Sequence, residues 1–252
     1  MDTAPQPASR LEQIRNYQSQ EFWAILAMRP LAIGLCLLVA DVRAVTPNRL
    51  TVASFMLLVL CAGLIAFGGR PELIAAAILV NVAQVLDNSD GTLARYRRCG
   101  TAFGSFLDKM CDAIGSILLG GAIGWNAWRA THEPVYLLLG LSFASFLVAR
   151  GYSKWVARAQ EVAWMKVTTE PDAVSVAPPR RSVADWVRLV AKALSRVYWF
   201  DEVDIPFWIG LFLILDRVTA LAWVLAVSQA VGLVVVTLWR ARLMHKLDVG
   251  HV

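Results

Sequence analysis

The chain has 252 residues, of which 58% are hydrophobic and only 17% charged, with a mean hydropathy of +0.55. A soluble domain of this length carries about a quarter charged residues, so this much apolar surface has no home in one water-soluble core. The 24 Lys and Arg outnumber the 19 Asp and Glu, but they fringe apolar runs and form no single basic face; this argues against a nucleic-acid partner and for anionic lipid nearby.

In chain order, residues 1–9 form a tail without the basic-then-apolar order of a secretory signal. From Arg10 to Met28, Leu11, Ile14, Phe22, Trp23, Ile25 and Leu26 recur among polar residues and predict an amphipathic helix. Leu31 to Ala40 is apolar but ends at Asp41, well short of the ~20 residues that a hydrocarbon core of ~30 Å requires. Residues 1–45 are therefore expected to be a cytoplasmic tail and an amphipathic helix, half-immersed at the membrane surface.

Thr46-Pro47-Asn48 opens the first span, with Thr46 a suitable N-cap and Pro47 suited to the first helical position. Six apolar runs follow: Pro47–Gly69, Pro71–Arg95, Ala102–Trp125, Pro134–Trp155, Val203–Leu215 and Val218–Trp239. All but the Val203 run reach spanning length, and that one extends back through Tyr198–Phe200. The expected fold class is all-α: a polytopic membrane protein with six transmembrane helices over residues 46–240. Within it, residues 166–202 are a polar, proline-containing cytoplasmic insert. There Val183, Trp186, Val187, Val190, Leu194 and Val197 oppose Arg188, Lys192 and Arg196, the pattern of an interfacial helix. Residues 241–252 form a cytoplasmic tail.

With the N-terminus inside and the spans alternating, only Arg70, Arg129 and Arg217 fall outside, while Lys109 lies within a span. That asymmetry follows the positive-inside rule and places both termini in the cytoplasm. Cys36, Cys61, Cys99 and Cys111 show no C-x-x-C spacing and read as packing residues. His132, His245 and His251 lie in loops or the tail, away from the aspartates, and carry no role in the chemistry.

The second run ends in Asp87-Asn88-Ser89-Asp90-Gly91-Thr92-Leu93-Ala94-Arg95. Asp87, Asp90, Gly91, Ala94 and Arg95 fall on one stripe of a helix, and so do Gly104, Asp108 and Asp112 at the start of the third run. The short turn over 96–101 makes the two helices antiparallel neighbours, so the stripes can face each other just inside the cytoplasmic edge. One aspartate in mid-bilayer costs ~2.5–3.5 kcal/mol on insertion scales, so four facing lipid would cost on the order of 10 kcal/mol. They must line a polar cavity, and their mutual repulsion calls for cations between them. Oxygen-only ligands suit magnesium or manganese, and two ions sharing carboxylates would also bind a pyrophosphate. A glycine here in isolation reads as close helix packing, and a lone aspartate as an ion or proton relay. Four aspartates and three small residues in register fit neither.

The pattern D-x-x-D-G-x-x-A-R, eight residues, then G-x-x-x-D-x-x-x-D resembles the signature of the CDP-alcohol phosphotransferase family. It stands here without a departure, as Asp87, Asp90, Gly91, Ala94, Arg95, Gly104, Asp108 and Asp112, and covers 26 residues. The six-span pattern, the amphipathic N-terminal helix and Thr46-Pro47-Asn48-Arg49-Leu50-Thr51 are also similar to this family; beyond that the resemblance thins, especially from Lys166 to Val203. The resemblance implies a metal-dependent transfer from a CDP-linked donor to an alcohol, with release of CMP. It implies that Asp87, Asp90 and Asp108 ligate Mg2+ or Mn2+, that Asp112 shares ligation and is the general base, and that the protein is a homodimer. It further implies that Gly91, Ala94 and Gly104 bed the nucleotide, which Asp87, Asp90 and Asp108 also bind, with Arg95 anchoring that pocket or the motif's carboxylates.

Two donor classes stay open: CDP-diacylglycerol with a polar alcohol acceptor, or a soluble CDP-alcohol with a lipid acceptor. Arg150, Lys154 and Arg158, at i, i+4 and i+8, offer a place for an anionic acceptor and favour the first, although cytoplasmic snorkelling would give the same stripe. An intramembrane prenyltransferase would fit Asp108-x-x-x-Asp112 but does not need Gly91, Ala94 and Arg95. A divalent-cation transporter would more often place carboxylates on several broken spans near mid-membrane, whereas here all four crowd one end of one hairpin.

Overall fold

A computed structural model describes residues 21–165, 191 and 202–249. The described residues form helices and no strand: α1 (Ala24–Val39), α2 (Pro47–Phe67), α3 (Arg70–Arg97), α4 (Ala102–Thr131), α5 (Val135–Met165), α6 (Ile205–Ile214) and α7 (Val218–Val249).

The ends are set by local chemistry. Thr46 Oγ1 accepts from the Arg49 amide at 3.3 Å and Pro47 fills the first position of α2, as expected. Glu72 reaches back to the Gly69 N–H at 2.8 Å to start α3. At the other end of α3, Arg98 turns left-handed with φ 52°, and Thr101 Oγ1 then accepts from the Gly104 amide at 3.0 Å to start α4.

By length and composition, α2, α3, α5 and α7 are candidate membrane spans. Their outward faces carry Ile78, Leu138, Leu141, Val231, Val234 and Leu238, all well exposed on the protein surface. So many large apolar side chains facing outward are compatible with lipid and not with water. α4 has the length, but Asp108, Lys109, Asp112, Asn126 and several glycines dilute its apolar character. α6, with 10 residues, covers about 15 Å, half a hydrocarbon core. The expected extension of this segment through Tyr198–Phe200, the interfacial helix over 183–197 and the first half of the N-terminal amphipathic helix lie outside the described residues, Ala191 apart.

α1 shows more order than its sequence implied. Residues 24–39 are one helix, π-helical in its first turn, lying along the C-terminal half of α3. Trp23 Nε1 donates to Asn81 Oδ1 at one end, the Cys36 thiol donates to the Ser89 carbonyl midway, and Arg97 closes the other end. The Arg97 guanidinium donates to the carbonyls of Val39, Ala40, Val42 and Val45, satisfying the open end of α1 and fastening the loop into α2.

α2 is the hub. It packs against both α3 and α4, α4 packs on α5, α5 on α7, and α6 on α3. The tight spots are glycine contacts: Gly120 on α4 and Gly140 on α5 approach so closely that a Cβ on Gly120 would lie 2.6 Å from the Gly140 carbonyl. One expectation is corrected here. α3 and α4 are consecutive, yet they share almost no direct backbone packing. Both lean on α2, and their aspartate stripes meet across a gap instead of a helix seam. Like charges on both stripes disfavour a closed seam, and α2 supplies the apolar surface that each helix needs.

Candidate active site

The C-terminal end of α3 supplies Asp87, Asp90 and Gly91, and the start of α4 supplies Gly104, Asp108, Lys109 and Asp112. One carboxylate oxygen from each of Asp87, Asp90 and Asp108 lies within 4.8 Å of the others. The expected juxtaposition of these three is therefore present. Asp90 is buried and accepts a hydrogen bond from the Thr51 hydroxyl of α2, itself buried. Asp87 Oδ2 receives a longer contact from Gln84 Nε2 at 3.4 Å.

Asp112 does not join the close trio. One turn further along α4, it pairs with Lys109, whose ammonium lies 2.9 Å from Asp112 Oδ2 and 2.8 Å from Asp108 Oδ2. The fourth carboxylate is thus tied to the third through a lysine of the same helix.

The two glycines differ. At Gly91 the nearest atoms to an added Cβ among the described residues belong to the movable Arg95 guanidinium, the closest at 3.2 Å. Arg95 Nη2 in turn donates to Thr92 Oγ1 at 3.4 Å. At Gly104 a Cβ would stand 2.8 Å from Asn48 Oδ1. Asn48 of α2 therefore lies against the α4 end of the site, and Gly104 is small to admit it. Ala94 is half-buried on the same stripe as Gly91.

The basic stripe on α5 divides. Arg150 is buried between α5 and α7, where it donates to Gln229 Oε1 and lies over Gly232, whose added Cβ would be 3.0 Å from Arg150 Nη1. Arg240 on α7 donates to the Arg150 carbonyl at 3.0 Å and to the Ser153 hydroxyl. Lys154 and Arg158 are exposed, and Arg158 pairs with Glu161 at 3.4 Å. The geometry separates Arg150 from an ordinary snorkelling arginine, because its guanidinium is enclosed by protein.

Sequence reasoning assigned no part to Thr51, Asn48, Lys109, Gln229 or Arg240. Thr51 and Asn48 belong to the Thr46–Thr51 segment already noted, but only the packing of α2 between α3 and α4 shows where they reach. Lys109 stands at i, i+3 to Asp112, a spacing that does signal an ion pair on a helix, whereas its contact with the adjacent Asp108 is not signalled by spacing.

Three mutually close carboxylates, one of them oriented by a buried hydroxyl, form an all-oxygen donor set that fits a hard divalent cation. Bound there, such an ion would supply positive charge for polarising or neutralising a substrate oxygen.

Residues 44–171 match the model of the CDP-alcohol phosphatidyltransferase family, just over half of the chain. The chain is 32% identical over 165 residues to the phosphatidylinositol phosphate synthase of Corynebacterium glutamicum, covering 65% of this chain and 70% of that protein. It is 33% identical over 100 residues to the archaetidylinositol phosphate synthase of Pyrococcus horikoshii, covering 37% of this chain and 52% of that one. Among solved structures, the phosphatidylinositol phosphate synthase of Mycobacterium tuberculosis with CDP-DAG bound superposes with a TM-score of 0.51 at 21% identity, over 82% of this chain and 90% of that one; this is a likeness of fold. The signature on α3 and α4, the apolar helices around it and the extent of these matches agree: the chain belongs to the CDP-alcohol phosphatidyltransferase family, membrane enzymes that transfer substituted phosphate groups.

Proposed function

We propose that the protein transfers a phosphatidyl group from CDP-diacylglycerol to the hydroxyl of a phosphorylated polyol of the inositol phosphate class, releasing CMP. The observation that carries this reading is the carboxylate trio of Asp87, Asp90 and Asp108 facing a gap between α3 and α4. The names of the two synthases, and the CDP-DAG held by the structurally similar protein, support this choice of donor and acceptor over a soluble CDP-alcohol donor.

Asp87, Asp90 and Asp108 would hold Mg2+ or Mn2+, which neutralises the donor diphosphate. Gly91, Ala94 and Gly104 would bed the cytidine nucleotide beside the trio, with Arg95 over Gly91 and Asn48 against Gly104. The acceptor oxygen attacks the phosphorus that bears the diacylglycerol, and the bond from that phosphorus to the CMP phosphate oxygen breaks. Asp112 takes the hydroxyl proton, and CMP carries away the electron pair. Arg150 would hold the acceptor phosphate, with Lys154 and Arg158 further out on the same stripe.

Six spans over residues 46–240 complete the proposed arrangement, with α4 and an extended α6 joining the four apolar helices. The site and both termini face the cytoplasm, residues 1–45 flank the membrane surface, residues 166–202 form a cytoplasmic insert, 241–252 a tail, and two chains pair as a homodimer. The test is CMP release by the purified chain in lipid vesicles containing CDP-diacylglycerol, with inositol phosphate added. Release that depends on both substrates and stops in excess chelator supports the proposal. Release with a soluble CDP-alcohol and diacylglycerol instead would reverse the donor assignment, and full turnover in chelator would end the metal role.

A further inference from the structure

A divalent ion bound by Asp87, Asp90 and Asp108 leaves Lys109 without a task, although its ammonium stands inside the acidic cluster. Lys109 directly follows Asp108, so its Cβ points about 100° around the helix from the aspartate stripe. The long stem nevertheless curls back to put Nζ 2.8 Å from Asp108 Oδ2 and 2.9 Å from Asp112 Oδ2. The side chain is 45% exposed, so nothing confines it there sterically; the two carboxylates hold it.

We infer that in the donor-free protein the Lys109 ammonium takes the place of a second divalent ion, bridging Asp108 and Asp112, so that the cluster binds one ion tightly. This rests on the metal role proposed for the trio. Two observations carry it. Among the described residues, the mutually close ligand oxygens stop at three and do not include Asp112. The ammonium already engages Oδ2 of both Asp108 and Asp112, the two carboxylates a second ion would bridge. A magnesium-sized ion bridging them would sit about 2.0–2.1 Å from each, within contact distance of Nζ, so the two cations compete for the same lone pairs. The tethered ammonium gives up no translational freedom in this competition, and its three N–H donors serve both carboxylates. Lys109 thereby ties Asp112 to Asp108 when only one ion is bound.

The test is Mn2+ binding by the full chain in detergent without donor, measured by calorimetry and by electron paramagnetic resonance. Wild type is expected to bind one Mn2+ per chain with an uncoupled spectrum. Lys109→Met is expected to bind two, with a spin-coupled spectrum, and Lys109→Arg to return to one. Two coupled ions in wild type would overturn the inference whether or not the variants fold, and so would a well-folded Lys109→Met that still binds one. No Mn2+ bound to wild type that still releases CMP would overturn the metal role itself, a result distinct from two ions bound.

Discussion

Thr51 offers the sharpest test of how α2 organises the acidic cluster. Its hydroxyl donates to Asp90 Oδ2 and also lies 3.2 Å from the Pro47 carbonyl, and both Thr51 and Asp90 are buried. Thr51→Val keeps the shape and removes the donor. A hydrogen bond to a buried charged group contributes ~1.5–3 kcal/mol, about a tenfold to hundredfold change in an equilibrium constant. Without the hydroxyl, the buried Asp90 carboxylate loses its support and its orientation, so a metal ion must re-aim the ligand. Outer-shell partners of ligands typically change metal affinity by about 10–100-fold, which agrees in size and sign. The expected result is Mn2+ affinity lowered by about that factor, CMP release falling in parallel at limiting Mn2+ and largely recovering at saturating Mn2+, and Thr51→Ser close to wild type. A melting temperature unchanged within about 4 °C would show that the fold has survived. Thr51→Val with wild-type Mn2+ affinity would refute the claim that α2 positions Asp90 for a ligand.

The same geometry sets three further outcomes. Asp112→Asn is expected to lower kcat far more than it lowers nucleotide binding, because a base acts chiefly in the chemical step; equal losses in Asp112→Asn and Asp87→Asn would remove the separate base role. Gly91→Leu should abolish CDP binding with the protein still inserted and folded, since among the described residues the atoms nearest that face belong to the movable Arg95 guanidinium; undiminished CDP affinity would return Gly91 to helix packing. Arg150→Gln should raise acceptor KM by about tenfold to hundredfold with donor KM nearly unchanged, the loss expected for one charged hydrogen bond to phosphate. If both KM values stay put while the melting temperature drops, Arg150 is a clamp between α5 and α7 through Gln229 and not an acceptor ligand.

Much of this protein was legible in the chain itself because the deciding signals are local. The length of an apolar run against the bilayer, the Thr46-Pro47 cap and the 3.6-residue period that aligns Asp87 with Asp90 each need only a few neighbouring residues. The family signature is of the same kind, with its spacing written along two consecutive helices. Periodicity states which face of a helix is special, but not which helix that face meets. Only the packing decided that α2 stands against both α3 and α4, bringing Thr51 to Asp90 and Asn48 to Gly104. It likewise buried Arg150 beside Gln229 while leaving Lys154 and Arg158 exposed, a difference invisible in a regular i, i+4, i+8 stripe. The course of α1 along α3 was hidden for a related reason: Trp23 meets Asn81 and Arg97 meets the carbonyls after Val39 through pairings more than fifty residues apart. A side chain as long as lysine or arginine also chooses its partner from whatever charge lies within its reach. That is why Lys109, off the aspartate stripe by its position in the helix, ends between two of the stripe's carboxylates.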